Sequence, residues 1–324
     1  MGKINPHIFF LSKNYYICKK IKKMKYRIIG DIHGRTRWKN LVDIENKDIT
    51  YIFLGDFTDP YYGYEPGVNY QQMIEQIKIV FDLKKKAPER VFILASNHDN
   101  QYWTLEGETN RFDRVNCNEI NDLFKENREL FHGVAFQIGE KYLISHAGVT
   151  LDWYTNKFKK DYQIGKTTLK EICENINSFY NENDLNKKQF SFNKCVSKFS
   201  DYYGISTTHS PLWVRPTSLW ENNLFGFESG IIQIVGHTPF EPIRNEEKDR
   251  YSTISTFGTL KTPMTHEEIK LGYYISDDNN NKCGMVSNNT EHVDIILCDC
   301  FFKETACVEI DENNLEWKKI KIDE

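Results

Sequence analysis

The strongest pattern in this 324-residue chain lies at residues 26–34, which read YRIIGDIHG. The apolar run Tyr26–Ile29 is typical of a short buried strand, and Gly30 marks the turn that ends it. Apolar side chains then recur at helical spacing from Trp38 to Ile44. This order predicts a strand, a tight loop and a helix, which is the repeating unit of an α/β fold.

The same order follows twice more. Tyr51–Leu54 is an apolar run that ends at Gly55, and a helix is predicted from about Tyr70 because apolar residues form one stripe along it. Val91–Ala95 is a third apolar run. Short, fully apolar strands separated by amphipathic helices are typical of parallel strands covered on both faces. This part of the chain therefore predicts a parallel sheet inside an α/β fold.

A second group of strands is predicted further along the chain. A helix is expected over about Glu119–Phe131, followed by a hairpin with strands 134–138 and 142–145. Later segments with strand character are 231–235, 293–298, 306–310 and 315–322. The last three predict a second sheet that closes the fold.

Two segments are predicted to be insertions in a single domain that spans 25–324. Residues 151–210 are rich in Lys and Asn, and an apolar stripe from Leu169 to Tyr180 predicts a helix there that could shape a substrate rim. Residues 241–292 are polar and predict a loop. Residues 1–24 are treated as an N-terminal extension, either disordered or belonging to a misplaced start, and are left out of the fold.

Composition excludes several classes of protein. Lys and Arg total 42 against 46 Asp and Glu, and this net charge of −4 argues against a protein that binds mainly nucleic-acid backbone or an anionic membrane. No apolar run reaches the length of about 18 residues that a membrane span needs. The 8 Cys show no regular pairing and predict free thiols in a reducing, cytoplasmic setting. Cys298 and Cys300 are expected in a buried strand and not in a soft-metal site.

Polar side chains with the chemistry of metal ligands stand where the predicted strands end. Five such motifs occur in one order, each beside small residues, and they contain Asp31, His33, Asp56, Asp59, Asn97, His98, His146 and His237. The carboxyl ends of strands are where α/β sheets place their sites. This mixture of carboxylate, amide and imidazole donors suits a divalent transition metal ion better than Ca²⁺.

Each motif also has a simpler interpretation. In extended geometry Asp31 and His33 point to the same side and can hold one ion, yet a capping Asp beside a hydrogen-bonded His is the commoner arrangement. Asp56 beside a glycine is typical of a turn, and Asn97 with His98 of an Asn turn with an exposed His. The occurrence of all five motifs in one order favours a functional site.

The ordered set resembles the calcineurin-like metallophosphoesterases, whose motifs run GDxH, GDxxD, GNH(D/E), HxG or HG, and GHT. The forms GDIHG and GHTP are most similar to the phosphoprotein phosphatase and diadenosine tetraphosphatase branch, and the resemblance covers residues 30–238. It implies an α/β fold in which two central mixed β-sheets are flanked by helices, an αββα sandwich. It also implies a hydrolase that acts on phosphate esters.

The resemblance implies two divalent metal ions, with Mn expected first and Fe, Zn or Co as alternatives. The residues that would hold them are Asp31 and His33 on the first ion, Asp56 on both, and Asn97, His146 and His237 on the second. His98 would protonate the leaving oxygen, with Asp59 orienting it. A carboxylate that bridges two ions can place between them a water acidic enough to attack phosphorus as hydroxide.

The chain departs from the family pattern at the phosphate-binding arginine. The protein phosphatases have GDxxDRG, whereas Pro60 and Tyr61 follow Asp59 here. Ser96 also replaces the usual Gly of the third motif, a change that is tolerable where the backbone does not need a positive φ.

Other arginines are candidates for the missing contact. Arg215 resembles a second phosphate-binding Arg of the bacterial branch, because a bidentate guanidinium fits a phosphoryl group, although a surface ion pair explains it equally well. Arg35 could replace the lost contact or cap a loop. Arg111 and Arg114 are weaker candidates.

The sequence therefore predicts a dinuclear-metal phosphatase acting on phosphomonoesters, including phosphoserine or phosphothreonine in proteins. The alternative enzyme hydrolyses dinucleoside polyphosphates or another nucleotide. The aromatic residues Tyr61, Tyr62, Tyr64 and Trp103, which we expect to be exposed, could stack on a base, although Tyr beside Gly and Pro also packs in ordinary loops. A nuclease is disfavoured by the net acidity. The expected partner is a phosphorylated protein or nucleotide, with no membrane. A non-catalytic metal-binding module is the alternative outside the enzymes.

Overall fold

A computed structural model gives the architecture of most of the chain. It describes residues 24–61, 68–105, 109, 111–158, 166–182, 206–225, 229–238, 295–299 and 305–322, together with four two-residue strands between 254 and 286. The predictions for the N-terminal extension and for most of the polar loop at 241–292 fall outside these residues.

The described residues form short strands and six α-helices. The strands are β1 (Lys25–Ile29), β2 (Ile49–Phe53), β3 (Val91–Leu94), β4 (Phe131–Gly133), β5 (Ala135–Ile138), β6 (Tyr142–Ser145), β7 (Ile232–Val235), β8 (Ile254–Ser255), β9 (Gly258–Thr259), β10 (Tyr273–Tyr274), β11 (Met285–Val286), β12 (Ile295–Leu297), β13 (Thr305–Asp311) and β14 (Trp317–Ile322). The helices are α1 (Tyr70–Lys86), α2 (Asn97–Thr104), α3 (Cys117–Glu126), α4 (Leu151–Phe158), α5 (Leu169–Glu182) and α6 (Pro216–Glu221).

Two mixed sheets form the centre of the molecule. The first has the order β14-β13-β1-β2-β3-β4, in which β1 to β4 run parallel and β13 and β14 are antiparallel additions. The second has the order β10-β11-β12-β7-β6-β5, with parallel pairing of β6, β7 and β12. The predicted α/β class, with two mixed sheets flanked by helices, is confirmed.

Apolar side chains from both sheets meet in one buried cluster. This cluster contains Ile28 and Ile52 from the first sheet and Ile144, Ile234 and Ile296 from the second. A larger cluster joins the other side of these strands to the helices, as expected for strands buried on both faces. The layered packing fixes the ends of β1, β2, β3, β6 and β7 relative to one another.

Helix α1 shows why the predicted helices form. Asn69 caps it by accepting a hydrogen bond from the backbone N–H of Gln72 at 2.9 Å, and three lysines in its last turn complement the carbonyl end of the helix. Met73, Ile77 and Val80 lie on one buried stripe, as the spacing predicts.

The predicted helix at 169–180 is confirmed as α5, which packs against β4 and β5. Oδ1 of Asn177 accepts hydrogen bonds from the backbone N–H groups of Val134 and Ala135 at 2.8 and 2.9 Å, and its Nδ2 donates to the Ala135 carbonyl at 2.8 Å. Ile172 and Ile176 belong to the larger core cluster. This helix therefore stabilises an edge of both sheets.

Two predicted helices differ from the structure. The segment from Trp38 to Ile44 forms only one 3₁₀ turn, because the Leu41 carbonyl accepts from Arg27 and the Asp43 backbone bonds the hydroxyl of Tyr51. The helix predicted over 119–131 ends at Glu126. Phe131, the last residue of the predicted range, begins β4 instead.

The closing strands also divide differently from the prediction. Only 295–297 joins the second sheet, where it pairs with β7. β13 and β14 pair with β1 and extend the first sheet instead. No helix in the described residues combines the length and apolar character that a bilayer crossing requires.

Candidate metal centre and active site

The eight motif residues gather at one end of the two sheets. They follow β1 (Asp31, His33), β2 (Asp56, Asp59), β3 (Asn97, His98), β6 (His146) and β7 (His237), and all of them are buried. Burial of so many polar side chains is costly unless they are paired or bind a ligand. Their convergence therefore points to a functional site and not to separate turns.

Asp56 occupies the middle of this cluster. Its Oδ2 lies 3.4 Å from Nε2 of His33, and its Oδ1 lies 3.6 Å from Nε2 of His146. Two groups of potential ligand atoms, each within 4.8 Å of one another, share it: Asp56 with His33 and His98, and Asp56 with His146 and His237. This carboxylate is the one group that belongs to both.

Asn97 lies between the two histidines of the second group. Its Oδ1 is 2.7 Å from Nε2 of His146 and 3.2 Å from Nδ1 of His237. Asn97 is the first residue of α2, whose backbone N–H at His98 also donates to Oδ1 of Asp56 at 3.1 Å. The helix start thus places an amide oxygen and a favourable dipole beside the central carboxylate.

Three histidines are oriented by backbone carbonyls. Nδ1 of His33 bonds Thr58 O at 2.7 Å, Nδ1 of His146 bonds Leu54 O at 2.9 Å, and Nε2 of His237 bonds Trp213 O at 3.1 Å. In each ring the other nitrogen faces Asp56 or Asn97. An outer carbonyl that fixes the tautomer in this way is the usual support of a metal-binding imidazole.

The protonation of these rings suits metal binding. Burial lowers the pKa of all three, and His33 and His237 lie well below the ordinary histidine value, with Arg111 and Arg215 lowering them further. Neutral imidazoles are the form that binds metals. Burial works to raise the pKa of Asp56, but His146 and His98 outweigh it, so that its pKa is lowered and it is an anion.

Asp31 lies on the side of His237. Its Oδ1 accepts from the His237 backbone N–H at 3.1 Å, while its buried Oδ2 accepts no hydrogen bond from any described residue. Burial, and then the charges of Asp299 and Asp56, raise its pKa well above the ordinary value. A buried carboxylate oxygen without a donor fits a cation.

The backbone around these residues is strained. His33, Asp56, Asp59 and His237 have positive φ angles of 45°, 51°, 55° and 62°. The expectation that Asp31 and His33 share a face through extended geometry is therefore wrong, because His33 adopts the left-handed region instead. Non-glycine residues in this region cost about 1–3 kcal/mol each and cluster at functional sites.

Two glycines make room for the ligands. A Cβ on Gly236 would lie 2.2 Å from Oδ1 of Asp31, so no other residue fits there. Gly55 has φ +96°, and a Cβ on it would lie 2.5 Å from the Cβ of Ser96. Both positions need glycine because the neighbouring motifs approach so closely.

Ser96 holds two motifs together. Its φ of −133° is extended, so the tolerance predicted for Ser in place of Gly is confirmed. Its Oγ accepts from the Asp56 backbone N–H at 2.8 Å and donates to Oδ2 of Asp99 at 2.8 Å. Asp99 in turn accepts from the backbone N–H groups of Phe57 and Thr58. These bonds fix the loop that carries Asp56 and Asp59.

His98 and Asp59 form a separate hydrogen-bonded pair. Nδ1 of His98 lies 2.5 Å from Oδ2 of Asp59. The Asp59 carboxylate also accepts from Gln101, Tyr102 and Thr109, so its orientation is fixed from several directions. His98 therefore directs Nε2 away from Asp59, and this nitrogen can exchange a proton with a bound substrate.

The candidate arginines occupy different places. Nη1 of Arg215 donates to His237 O at 3.0 Å and to Thr238 Oγ1 at 3.1 Å, so this residue borders the site. Arg35 is 2 % exposed, and its charge lowers the pKa of Asp31 and Asp299. Arg114 is exposed, with its guanidinium 5.8 Å from the Phe112 ring centroid.

Two residues of this region were not recognised as important from the sequence. Asp299, directly after β12, is buried; burial raises its pKa to about 6, and it interacts with Asp31 and Arg35. Its place at the end of a strand was the signal that could have identified it. Arg111, considered a weaker candidate, lies 3.0 Å from Nε2 of His98.

The aromatic residues considered for base stacking have other contacts. Trp103 is 4 % exposed and packs against Phe124 and Phe131, so its expected exposure is wrong. Tyr61 stacks on Arg111 and meets His33 edge-on, while Tyr62 and Tyr64 fall outside the described residues. Cys298 is buried, as expected. Cys300 also falls outside.

The donor set fits divalent transition metal ions. It combines an anionic carboxylate shared by two groups, a second carboxylate with an unsatisfied buried oxygen, an amide oxygen and neutral imidazoles held by carbonyls. This is the oxygen and nitrogen mixture that Mn, Fe, Co and Zn accept.

Comparisons with known proteins match this chain to phosphoesterases. A family model described as calcineurin-like phosphoesterase matches residues 24–241. Serine/threonine-protein phosphatase PP1-delta of Caenorhabditis elegans is 30% identical over 132 residues, which are 38% of this chain and 39% of that protein. The PP2A-like phosphatase PPG1 of Candida albicans is 32% identical over 80 residues, 23% of this chain and 16% of that protein. The matched regions thus span well under half of these relatives.

Solved structures with a similar arrangement are distant. A cold-active protein-tyrosine phosphatase of a psychrophilic Shewanella aligns with 93% of this chain and 80% of its own, at 12% identity and a TM-score of 0.42. A metallophosphoesterase from Sphaerobacter thermophilus aligns with 93% and 88%, at 10% identity and a TM-score of 0.35.

Proposed function

This chain belongs to the calcineurin-like phosphoesterase family, and we propose that it is a metal-dependent phosphatase that hydrolyses phosphomonoesters. The proposal is carried by the position of Asp56, which lies at once in a group with His33 and in a group with His146 and His237. A carboxylate shared in this way supports a pair of metal ions bridged by one side chain.

The remaining motif residues complete two ligand sets. We assign Asp31 and His33 to the first ion and Asn97, His146 and His237 to the second, with Asp56 on both. The neutral rings and the unsatisfied oxygen of Asp31 support a ligand role for these residues. Their division between the two ions follows the family resemblance. When bound, such ions supply positive charge for the phosphoryl oxygens and lower the pKa of water. Mn is the first metal to test.

His98 provides the proton for the leaving group. Its Nδ1 bonds Asp59, so the ring is fixed in one orientation and Nε2 is the atom that delivers the proton. Asp59 fixes the ring through this hydrogen bond. A positioned general acid of this kind contributes typically about 10²- to 10⁴-fold to the rate.

Phosphoserine and phosphothreonine in proteins are the substrates to test first, because the curated relatives are named as serine/threonine phosphatases. Dinucleoside polyphosphates are the alternative substrate, although Trp103 is buried and Tyr61 already stacks on neighbouring side chains. The cytoplasmic location remains a prediction.

The test compares metal-free and Mn-loaded protein on p-nitrophenyl phosphate, a phosphoserine peptide and diadenosine tetraphosphate. We expect metal-dependent turnover of the first two and a metal content near two ions per chain by elemental analysis. Preferential turnover of diadenosine tetraphosphate would favour the nucleotide alternative. Metal uptake with negligible turnover of every substrate would contradict the enzymatic proposal and favour a metal-binding module.

A further inference from the structure

The segment between α2 and α3 brings a guanidinium group to the proposed proton donor. Nη2 of Arg111 lies 3.0 Å from Nε2 of His98, and Nη1 donates to the carbonyl oxygen of Asp59. Nε2 is the nitrogen of His98 that faces away from the Asp59 carboxylate. Arg111 therefore places its positive charge beside the atom that would meet a leaving oxygen.

An aromatic ring fixes the plane of this guanidinium. Cζ of Arg111 is 3.5 Å from the ring centroid of Tyr61, which is stacking distance. The same ring meets His33 edge-on, with centroids 5.1 Å apart and an interplanar angle of 87°. Tyr61 is the second residue after Asp59, so the loop that lacks an arginine supplies a platform for one from elsewhere in the chain.

The contacts of Arg111 leave its charge available to an anion. Its partners are a carbonyl oxygen, an imidazole and an aromatic ring, none of which neutralises a cation. Arg35 differs because it is buried, whereas Arg111 is partly exposed, although the charges of both lower the pKa of Asp299. The nearby carboxylates of Asp56 and Asp299 act on this charge without a hydrogen bond to it. A partly exposed guanidinium whose hydrogen-bond partners carry no negative charge is suited to a phosphoryl group.

We propose that Arg111 is the phosphate-binding residue that takes the place of the arginine absent after Asp59, an inference that rests on the proposed phosphatase function. A phosphoryl oxygen replaces Nε2 of His98 as the partner of Nη2, which leaves Nε2 facing the leaving oxygen. Arg215 borders the site at His237 and supplies a second guanidinium. Two such cations favour a dianionic phosphomonoester over a monoanionic diester.

The experiment measures binding of inorganic phosphate to Mn-loaded protein by calorimetry, together with kcat and KM for p-nitrophenyl phosphate and bis-p-nitrophenyl phosphate. Arg111→Ala should weaken phosphate binding roughly 10- to 100-fold, the usual worth of hydrogen bonds to charged groups, and lower kcat/KM for the monoester more than for the diester. Arg111→Lys should recover only part of the loss, because an ammonium cannot bind in the bidentate manner. Metal content should not change.

Arg114→Ala is the matched control. This exposed arginine lies in the same segment, and its guanidinium lies over the ring of Phe112. It should bind phosphate as the parent does. The inference is wrong if the parent is active and Arg111→Ala matches it within about twofold, both in phosphate affinity and in turnover of the monoester. The proposed function would still stand in that case. If the parent has no turnover, the proposed function fails, and the phosphate affinities of Arg111→Ala and Arg114→Ala still decide the inference: equal values overturn it.

Discussion

Nδ1 of His98 lies 2.5 Å from Oδ2 of Asp59, and the two residues come from different strand ends that meet only in the folded chain. Tyr102 and Thr109 donate to the same carboxylate, so Asp59 cannot rotate away from the ring. His98 is consequently held with Nδ1 paired to Asp59, while Nε2 points away from Asp59 and faces Arg111 at 3.0 Å. This is the arrangement of a general acid supported by a carboxylate.

Replacement of His98 by Asn should separate proton donation from metal binding. We expect His98→Asn to keep both metal ions and to lower turnover of a phosphoserine peptide about 10²- to 10⁴-fold. Turnover of p-nitrophenyl phosphate should fall less, because its leaving group needs little protonation. Steady-state kinetics on both substrates, with elemental analysis of the same samples, measures the difference.

Loss of one metal ion in His98→Asn would instead identify His98 as a metal ligand. The geometry permits this role, because His98 lies in one group of potential ligand atoms with His33 and Asp56. An equal fall in rate on both substrates with intact metal content would remove the proton-donor role. Asp59→Asn should likewise slow turnover of the phosphoserine peptide more than that of p-nitrophenyl phosphate, because Asp59 acts by orienting the His98 ring.

Replacement of Asp56 should affect both metal ions at once. Asp56→Asn removes the negative charge shared by the two ligand groups. Loss of a residue that only supports a ligand weakens metal binding by up to about 100-fold, so we expect loss of this ligand itself to weaken it further. Metal titration monitored by calorimetry gives the affinities. Asp82→Asn, an exposed carboxylate on α1, is the control and should bind metal as the parent does. Unchanged affinity in Asp56→Asn would exclude Asp56 from the site.

The metal-ligand candidates could be predicted because each follows a strand with a simple apolar pattern. Strand ends are local features, so Asp31, Asp56 and Asn97 could be assigned to one edge of the sheet before any contact was known. The positive φ angle of His33 could not be predicted, because it depends on hydrogen bonds to the neighbouring loop at Asp56 O and Thr58 O.

Other features depended on long-range pairing that the sequence does not encode locally. Strand patterns at 306–310 and 315–322 do not specify which sheet they join, and their pairing with β1 follows from packing. Arg111 lies in no motif, and its importance appears only when the segment before α3 returns to His98. Trp103 appeared exposed because α2 is too short to show a clear apolar stripe.

The packing of α5 leads to a stability prediction. Asn177→Leu would leave two backbone N–H groups and one carbonyl at Val134 and Ala135 without their partners, so we expect a loss of about 2 kcal/mol in the free energy of unfolding. Urea denaturation measures it. Asn181→Leu, an exposed site on the same helix, is the matched control and should cost well under about 1 kcal/mol. Equal stabilities of the two variants would mean that α5 contributes little to the sheets, as expected of a dispensable insertion.

An ion cluster around the buried Glu309, between β1 and β13, should make stability depend on pH. Oε1 of Glu309 lies 3.0 Å from Nζ of Lys25, and Oε2 lies 2.9 Å from Nε of Arg27. Burial works to raise the pKa of Glu309, but these hydrogen bonds outweigh it, so its pKa in the folded chain is below the ordinary value of 4.5. The unfolded chain therefore binds more protons as the pH falls, and the stability that Glu309 contributes is present above about pH 4.5 and is lost below it.

Glu309→Gln should consequently lower the free energy of unfolding by about 1.5 kcal/mol at pH 7. This is the lower end of the usual worth of hydrogen bonds to a charged group, because Lys25 and Arg27 are partly exposed. The parent and the variant should converge as the pH falls below 4.5, because the parent carboxylate is then protonated and resembles the amide. Urea denaturation at a series of pH values measures both curves. Glu126→Gln, an exposed position on α3, controls for the general effect of removing one negative charge. A difference between parent and Glu309→Gln that stays constant from pH 7 to pH 3 would contradict the electrostatic explanation, because loss of packing alone does not depend on protonation.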